Sequence, residues 1–128
     1  MRTTYHRYHD PGHSWTKVSP MELWQLGISL DNISDYSYAR IGKRSKVSIY
    51  LEEDVDLVLY VRKYKHLWGE WPKYIDHYTD SESRIRSYLT IPQLTRKIAE
   101  NLWSNGNKYD WRLAESVQPI TNALGVKI

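Results

Sequence analysis

Alternation of apolar and polar side chains predicts two short strands at the start of the chain, separated by a tight turn. The side chains of residues 3–9 alternate between two faces, and residues 15–18 return in the same pattern. Ser19 and Glu22 then have the spacing of a capping box, in which each side chain caps the other residue's backbone N–H. A short helix is therefore expected, ending at Gly27 because glycine readily adopts the left-handed conformation that closes helices.

The middle of the chain predicts a hairpin and a longer helix. Residues 36–41 and 46–51 read as strands on either side of a polar four-residue turn. The segment at residues 54–67 is rich in apolar side chains and is too long for one strand. Gly69 follows it, so a helix is favoured. The first 69 residues thus predict the order β-β-α-β-β-α with antiparallel strands.

The C-terminal half predicts a second hairpin followed by helices. Residues 74–78 and 84–89 are the two strands of this hairpin, which turns at residues 80–83. A helix is expected over residues 91–103, where apolar side chains recur every three or four positions and form one stripe. A further helix is expected from about residue 110, interrupted by a proline and closed by a glycine.

These elements predict an α+β fold in a single domain spanning residues 1–128, with sub-lobes at residues 1–69 and 70–128 as the alternative. A chain of 128 residues buries about two thirds of the surface of its unfolded form, which is enough for one core. The hydrophobic content of 41% and the charged content of 26% are ordinary for such a domain.

The aromatic composition is unusual, since the chain has eleven Tyr and six Trp but no Phe. Tyrosine and tryptophan combine a large apolar ring with a polar atom, so they suit both shallow cores and contact surfaces. Two interpretations follow: the rings replace phenylalanine inside the core, or some of them bind another macromolecule. The absence of Cys excludes disulfides, thiol nucleophiles and cysteine-based zinc sites.

Charge and hydropathy narrow the class of protein further. No apolar run approaches the roughly 20 residues that cross a bilayer, and the first residues do not read as a signal peptide. We therefore expect a cytoplasmic protein without a membrane partner, and the oligomeric state stays open. The net charge of +3 is too small to predict nucleic-acid binding by itself. No cofactor is expected, since no phosphate-binding glycine loop, nucleophile elbow or paired-carboxylate motif is visible in the sequence.

The turn His9-Asp10-Pro11-Gly12-His13 carries the strongest candidate chemistry. In a β-turn the first and fourth α-carbons lie within roughly 7 Å, so Asp10 and His13 are brought together. In one alternative, His9, Asp10 and His13 are the catalytic residues of a small metal-dependent hydrolase or phosphodiesterase, since imidazole and carboxylate groups bind metals and transfer protons. The favoured interpretation is structural: Asp10 accepts backbone N–H groups of the turn, and Trp15 packs beneath it.

Four segments resemble a group of short phage and prophage proteins of unknown function. They are His9-Asp10-Pro11-Gly12-His13-Ser14-Trp15, Leu26-Gly27-Ile28, Ile33-Ser34 with Tyr36-Ser37-Tyr38, and Tyr50-Leu51-Glu52-Glu53-Asp54-Val55-Asp56. The resemblance covers roughly the first half of the chain. It implies a viral or mobile-element origin and a helix after the acidic run, and it supplies no activity.

The acidic run at residues 52–56 has two interpretations. Acids at the start of a helix interact favourably with the helix dipole, and this is preferred because the run lacks the spaced ligands and central glycine of a calcium loop. In the other interpretation, the run mimics phosphate groups, or it meets a basic patch on a partner and speeds the encounter.

A basic and aromatic sheet face is the basis of a nucleic-acid-binding alternative. Arg84, Arg86 and Tyr88 share one face of a predicted strand. Lys46 and Tyr50 share one face of another. If these faces coincide, the sheet presents guanidinium groups and rings as a platform of the kind that binds single-stranded nucleic acids.

The favoured function is non-enzymatic binding of a host protein or protein–nucleic-acid complex. Small phage proteins often act by binding a host machine, and the expectation is that this one inhibits or redirects such a machine, as host-takeover and anti-defence proteins do. The best candidates for the contact surface are Trp68, Trp71, Tyr74 and Tyr78, because large aromatic side chains contribute most to interfaces.

Overall fold

A six-stranded mixed sheet organises the described part of the chain, which in this computed structural model comprises residues 2–102, 111–113 and 115–117. The strands are β1 (Thr4–His9), β2 (Ser14–Val18), β3 (Tyr38–Ile41), β4 (Val47–Glu52), β5 (Lys73–Tyr78) and β6 (Leu89–Thr90). The helices are α1 (Pro20–Gln25), α2 (Asp56–Trp68) and α3 (Ile91–Leu102). Across the sheet, the strands follow the order β5-β1-β2-β4-β3-β6.

The α+β fold and the predicted order of elements in the first 69 residues are confirmed. β1 pairs with β2, β2 with β4 and β4 with β3, and all three pairs are antiparallel. Ser19 and Glu22 form the expected capping box at the start of α1. Gly27 and Gly69 follow α1 and α2 with φ angles of 70° and 75°, a conformation in which other residues are strained.

The predicted second hairpin is wrong. β5 pairs in parallel with β1 at one edge of the sheet, with Tyr74 opposite Tyr5. Arg84–Ser87 forms a 3-10 turn instead of a strand, and only the two residues of β6 pair, with β3 near the opposite edge. Alternation specifies which face each side chain takes but not which strand lies alongside it. Here α2 carries the chain across the sheet from β4 to β5, which allows the parallel pairing.

The three helices cover one face of the sheet, called here the helix face, and enclose the main core. Ile91, Leu94 and Ile98 are buried and confirm the apolar stripe expected for α3. On α2, the Tyr60 ring lies 5.7 Å from the ring of Tyr5 on β1, and their hydroxyl groups are 2.8 Å apart. Burial raises the pKa of Tyr5 to about 12. Tyrosines therefore take the place of phenylalanine in the core and satisfy each other's polar atoms.

The opposite face of the sheet is crossed by residues 79–88, called here the crossing segment, which connect β5 to β6. Ile85 in this segment packs with Trp15 and Tyr50 in a second, smaller core. Three partly buried tyrosines surround it: Tyr8, Tyr38 and Tyr88. The crossing segment therefore covers part of the face opposite the helix face.

The C-terminal helices are described in part. α3 confirms the helix expected over residues 91–103, except that residue 103 lies outside the described residues. Leu113 and Val117 lie in helical segments and are buried in the main core. The rest of the helix expected from about residue 110, with its closing glycine, lies outside the described residues. Among the described residues, no helix is both long and apolar enough to cross a membrane.

Candidate functional site

The Asp10 carboxylate is buried, and both of its oxygens are hydrogen-bonded. Oδ1 accepts the backbone N–H groups of Gly12 and His13, each at 2.9 Å, and Oδ2 accepts that of Ser83 at 3.0 Å. The Arg86 guanidinium donates to both oxygens, at 2.7 and 3.0 Å. Arg86 and these N–H groups hold the pKa of Asp10 far below its usual range. Asp10 is therefore an anion at neutral pH that ties the turn to the crossing segment.

The two turn histidines pair with acids other than Asp10. His9 Nε2 lies 2.7 Å from Asp76 Oδ1, whereas His13 Nδ1 lies 3.2 Å from Glu53 Oε1. His9, Asp10 and His13 therefore have three different partners. The arrangement needed by the hydrolase alternative, with all three groups facing one reacting atom, is not formed by these residues.

A cluster of charged groups joins β1 to the edge strand β5. Arg7 donates to both carboxylate oxygens of Asp76, from Nε at 2.6 Å and from Nη2 at 3.3 Å. Arg7 and, to a smaller extent, His9 lower the pKa of Asp76 to about 2. The Arg7 guanidinium also lies 4.0 Å from the centre of the Tyr74 ring. These contacts stabilise the parallel pairing of β5 with β1.

Acid is expected to weaken the fold through Asp10 and Asp76. The pKa of each carboxyl is lower in the folded protein than in the unfolded chain, where it is about 3.9. As the pH falls, the unfolded state binds protons first, so stability that is complete above about pH 5 is lost progressively down to about pH 2 and below. The urea midpoint of unfolding, measured from neutral to acid pH, should follow this decline.

The Asp76→Asn variant distinguishes the contribution of Asp76 to this pH dependence from that of Asp10. Its stability should fall less between neutral and acid pH than that of the unchanged protein, because one of the two titrating groups is gone. An identical pH dependence in both proteins would contradict the role given to Asp76.

The acidic run at residues 52–56 mainly organises loops. Only Asp56 lies in the first turn of α2, and its carboxylate accepts the N–H and hydroxyl of Ser34 and the hydroxyl of Ser37. Glu52 still belongs to β4 and accepts two backbone N–H groups of the turn that follows. The helix-start interpretation is therefore correct for one acid, because the strand ends and the helix begins later than alternation indicates.

His13 and three acids lie beside a small cavity. Potential ligand atoms of His13, Glu52, Glu53 and Asp54 all lie within 4.8 Å of one another. The cavity next to them has a volume of about 200 Å³, and its walls include Trp15, Tyr36, Tyr38 and Val55. Glu53 accepts a hydrogen bond from the Ser14 hydroxyl at 2.9 Å, and Glu52 holds the turn described above. These hydrogen bonds show that Glu52 and Glu53 help to hold the local loop structure.

The residues of the nucleic-acid-binding alternative do not form one free face. They are Lys46, Tyr50, Arg84, Arg86 and Tyr88. The last three do not share a strand face, because this part of the chain forms a 3-10 turn and its end. Arg86 is paired with Asp10, and Tyr50 is only 5% exposed, with the Tyr88 ring 5.3 Å away. Lys46 and Arg84 are exposed, but this set does not provide a stacking platform.

Three of the four aromatic residues expected to bind a partner are exposed near β5. Trp68 ends α2, Trp71 lies in the following loop and Tyr78 ends β5, with exposed fractions of 38%, 61% and 77%. Tyr74 differs, because it is half-buried and packs against the main core. Residues 67–78, called here the edge segment, therefore hold most of the expected contact residues in accessible positions.

The edge segment also exposes Leu67 and Ile75, which the sequence does not mark as contact residues. Of the eleven large apolar side chains that are exposed in the described part of the chain, five lie in these twelve residues. The closely spaced tryptophans were the available signal in the sequence. Ile75 carries no such signal, since its exposure depends on β5 being the edge of the sheet.

Comparisons of the chain with protein-family models, with curated proteins and with solved structures found no match. Two features of the chain itself therefore bear on function. One is the turn around Asp10, whose charged groups are paired with each other. The other is the edge segment, whose apolar side chains are exposed.

Proposed function

We propose that the protein binds a host macromolecule through the edge segment and acts without enzymatic chemistry. The observation that carries this proposal is the concentration of exposed apolar side chains in the edge segment. Large aromatic side chains contribute most of the binding energy at protein interfaces. Clusters of exposed apolar side chains commonly mark surfaces that contact another molecule.

The proposed setting is the cytoplasm of a host cell that carries a phage or a related mobile element. The support for this setting is the resemblance of residues 9–56 to short phage and prophage proteins. In that setting, the bound host complex would be inhibited or redirected, in the manner of host-takeover or anti-defence proteins. The interface is proposed to be with protein, either alone or within a protein–nucleic-acid complex.

The two alternative functions have weaker support from the geometry. The hydrolase alternative needs His9, Asp10 and His13 at one centre, and each of them has a different partner. The nucleic-acid alternative needs Tyr50 and Arg86 on a free surface, but Tyr50 is buried and Arg86 is paired. The edge segment needs no rearrangement to contact a partner.

Replacing Trp71 and Tyr78 together by alanine is expected to reduce capture of the host partner at least about tenfold. Both side chains are exposed, so their removal takes away contact area without opening the main core. Affinity capture from host lysate, with and without nuclease treatment, measures the effect. Circular dichroism during heating verifies that the variant folds.

Alanine at both Trp24 and Tyr36 is the matched control, because the same residue types are exposed there outside the edge segment. This control variant should capture the partner as the unchanged protein does. Equal loss of capture in both double variants would show that the edge segment is not the interface. Loss of all capture after nuclease treatment would favour nucleic acid as the partner instead.

A further inference from the structure

The two edges of the sheet are built differently. β6 has only two residues and leads directly into α3, so little unpaired backbone is left at that edge. β5 has six residues, contains no proline, and within the described residues pairs only with β1. Proteins usually shorten or cover edge strands, because unpaired N–H and C=O groups recruit other strands. Among the described residues, this is so at β6 but not at β5.

The free backbone groups of β5 follow from its register. Lys73 and Thr79 donate their N–H groups to the carbonyl oxygens of Thr3 and His9, both at 2.9 Å. In a parallel ladder, every second residue directs its N–H and C=O to the same neighbouring strand. The residues that direct these groups away from β1 are therefore Tyr74, Asp76 and Tyr78.

The two ends of β5 carry opposite charge. Lys73 is the first residue of the strand, and the Lys65 ammonium lies 5.2 Å from the centre of the Trp71 ring just before it, with Glu70 as the acid in the intervening loop. Asp80 follows the strand at its other end and is exposed, whereas the next acid, Glu82, lies 3.8 Å from Arg86. Between the two ends, Asp76 is already paired with Arg7. A strand lying along β5 would match these charges if it carried acids near the first residue of β5 and bases near the last residue of β5.

We propose that the free edge of β5 accepts an extended peptide segment of the partner as a seventh strand of the sheet. The backbone of this segment hydrogen-bonds to Tyr74, Asp76 and Tyr78, and its alternate side chains contact Ile75 on one face and Tyr78 on the other. It carries acidic residues at the end near Lys73 and basic residues at the other end. This inference rests on the proposed function and adds the chemistry of the partner to it.

The probe is a library of displayed random linear peptides of twelve residues, from which peptides that bind the full chain are selected. The selected peptides should have the charge distribution described above. In the tightest peptide, single N-methylation is expected to weaken binding at least about tenfold at every second residue and much less at the residues between, because only alternate N–H groups face β5. If N-methylation weakened binding equally at all positions, or at none, strand addition would be overturned. This experiment uses the unchanged protein, so it does not depend on the folding of a variant.

Tyr78→Pro and Tyr78→Ala form a matched pair on the protein side. Both remove the side chain, but only proline also removes the outward N–H and places its ring in the path of an added strand. The proline variant should bind the selected peptide at least about tenfold more weakly than the alanine variant, with circular dichroism confirming that both are folded. Equal affinity of the two folded variants would contradict the proposal.

Three outcomes distinguish this inference from the function on which it rests. If selection yields no binding peptide, strand addition fails, while the lysate experiment on Trp71 and Tyr78 still decides the proposed function. If sedimentation shows a dimer that Tyr78→Pro dissociates, a second copy occupies the edge and the peptide partner is wrong. If lysate capture is insensitive to the alanine variants, the proposed function fails even where peptides bind.

Discussion

Replacing Asp10 by alanine is expected to lower the free energy of unfolding by about 3 kcal/mol. The change leaves the N–H groups of Gly12, His13 and Ser83 without their acceptor and Arg86 without its carboxylate. Buried donors that lose their partner keep the full desolvation penalty, whereas the partly exposed Arg86 can turn towards water. Urea unfolding followed by tryptophan fluorescence measures the loss.

Glu82→Ala is the matched control for this experiment, because the Glu82 carboxylate also lies near Arg86, at 3.8 Å, but is exposed. Its loss of stability should be below about 0.5 kcal/mol. Asp10→Asn should fall between the two, since the amide oxygen still accepts N–H groups. If Asp10→Ala were as stable as Glu82→Ala, the turn would not depend on its carboxylate.

Replacing Trp15 by alanine is expected to cost about 3–5 kcal/mol. Trp15 is 2% exposed and packs with Tyr50 and Ile85 between the sheet and the crossing segment. Its Nε1 donates to the Tyr36 carbonyl at 3.2 Å, and the Arg86 guanidinium lies 5.1 Å from its ring. The variant would have a cavity in the second core, and its midpoint of thermal unfolding should fall by about 10 °C or more.

Trp24→Ala provides the comparison, since Trp24 is 51% exposed on α1. Its loss of stability should stay below about 1 kcal/mol, as is usual for exposed positions. Trp15→Phe should be less destabilising than Trp15→Ala, because phenylalanine fills most of the volume of tryptophan. It should still be less stable than the unchanged protein, since phenylalanine cannot donate to the Tyr36 carbonyl. Similar losses for Trp15→Ala and Trp24→Ala would contradict the existence of the second core.

The chemistry around the turn was predictable only in part. The β-turn rule placed the Asp10 carboxylate over backbone N–H groups, and the structure has those hydrogen bonds. The sequence pattern predicts Arg86 on a nucleic-acid-binding face, but Arg86 is the main partner of Asp10. The two residues are 76 positions apart, and no local pattern connects them. Their pairing depends on the route of the crossing segment over the sheet.

The aromatic residues of the edge segment were likewise predictable only in part. Residue type and close spacing predict Trp68, Trp71 and Tyr78 as contact residues, and all three are exposed. Tyr74 belongs to the same segment but is half-buried, since its side chain turns to the helix face and lies beneath Arg7. Residue type identified the segment, and the orientation of β5 decided which of its rings can be reached.

By itself, the sequence determined most local elements of this protein, apart from the second hairpin. The capping box of Ser19 and Glu22, the glycine that ends α2 and the apolar stripe of α3 depend on residues only a few positions apart. The tertiary structure decided that β5 lies parallel to β1 at one end of the strand order and that His9, Asp10 and His13 have separate partners. The reason is physical: strand alternation specifies faces but not neighbours, and the contacts that select a neighbour, such as Arg7 with Asp76, join residues far apart in the chain.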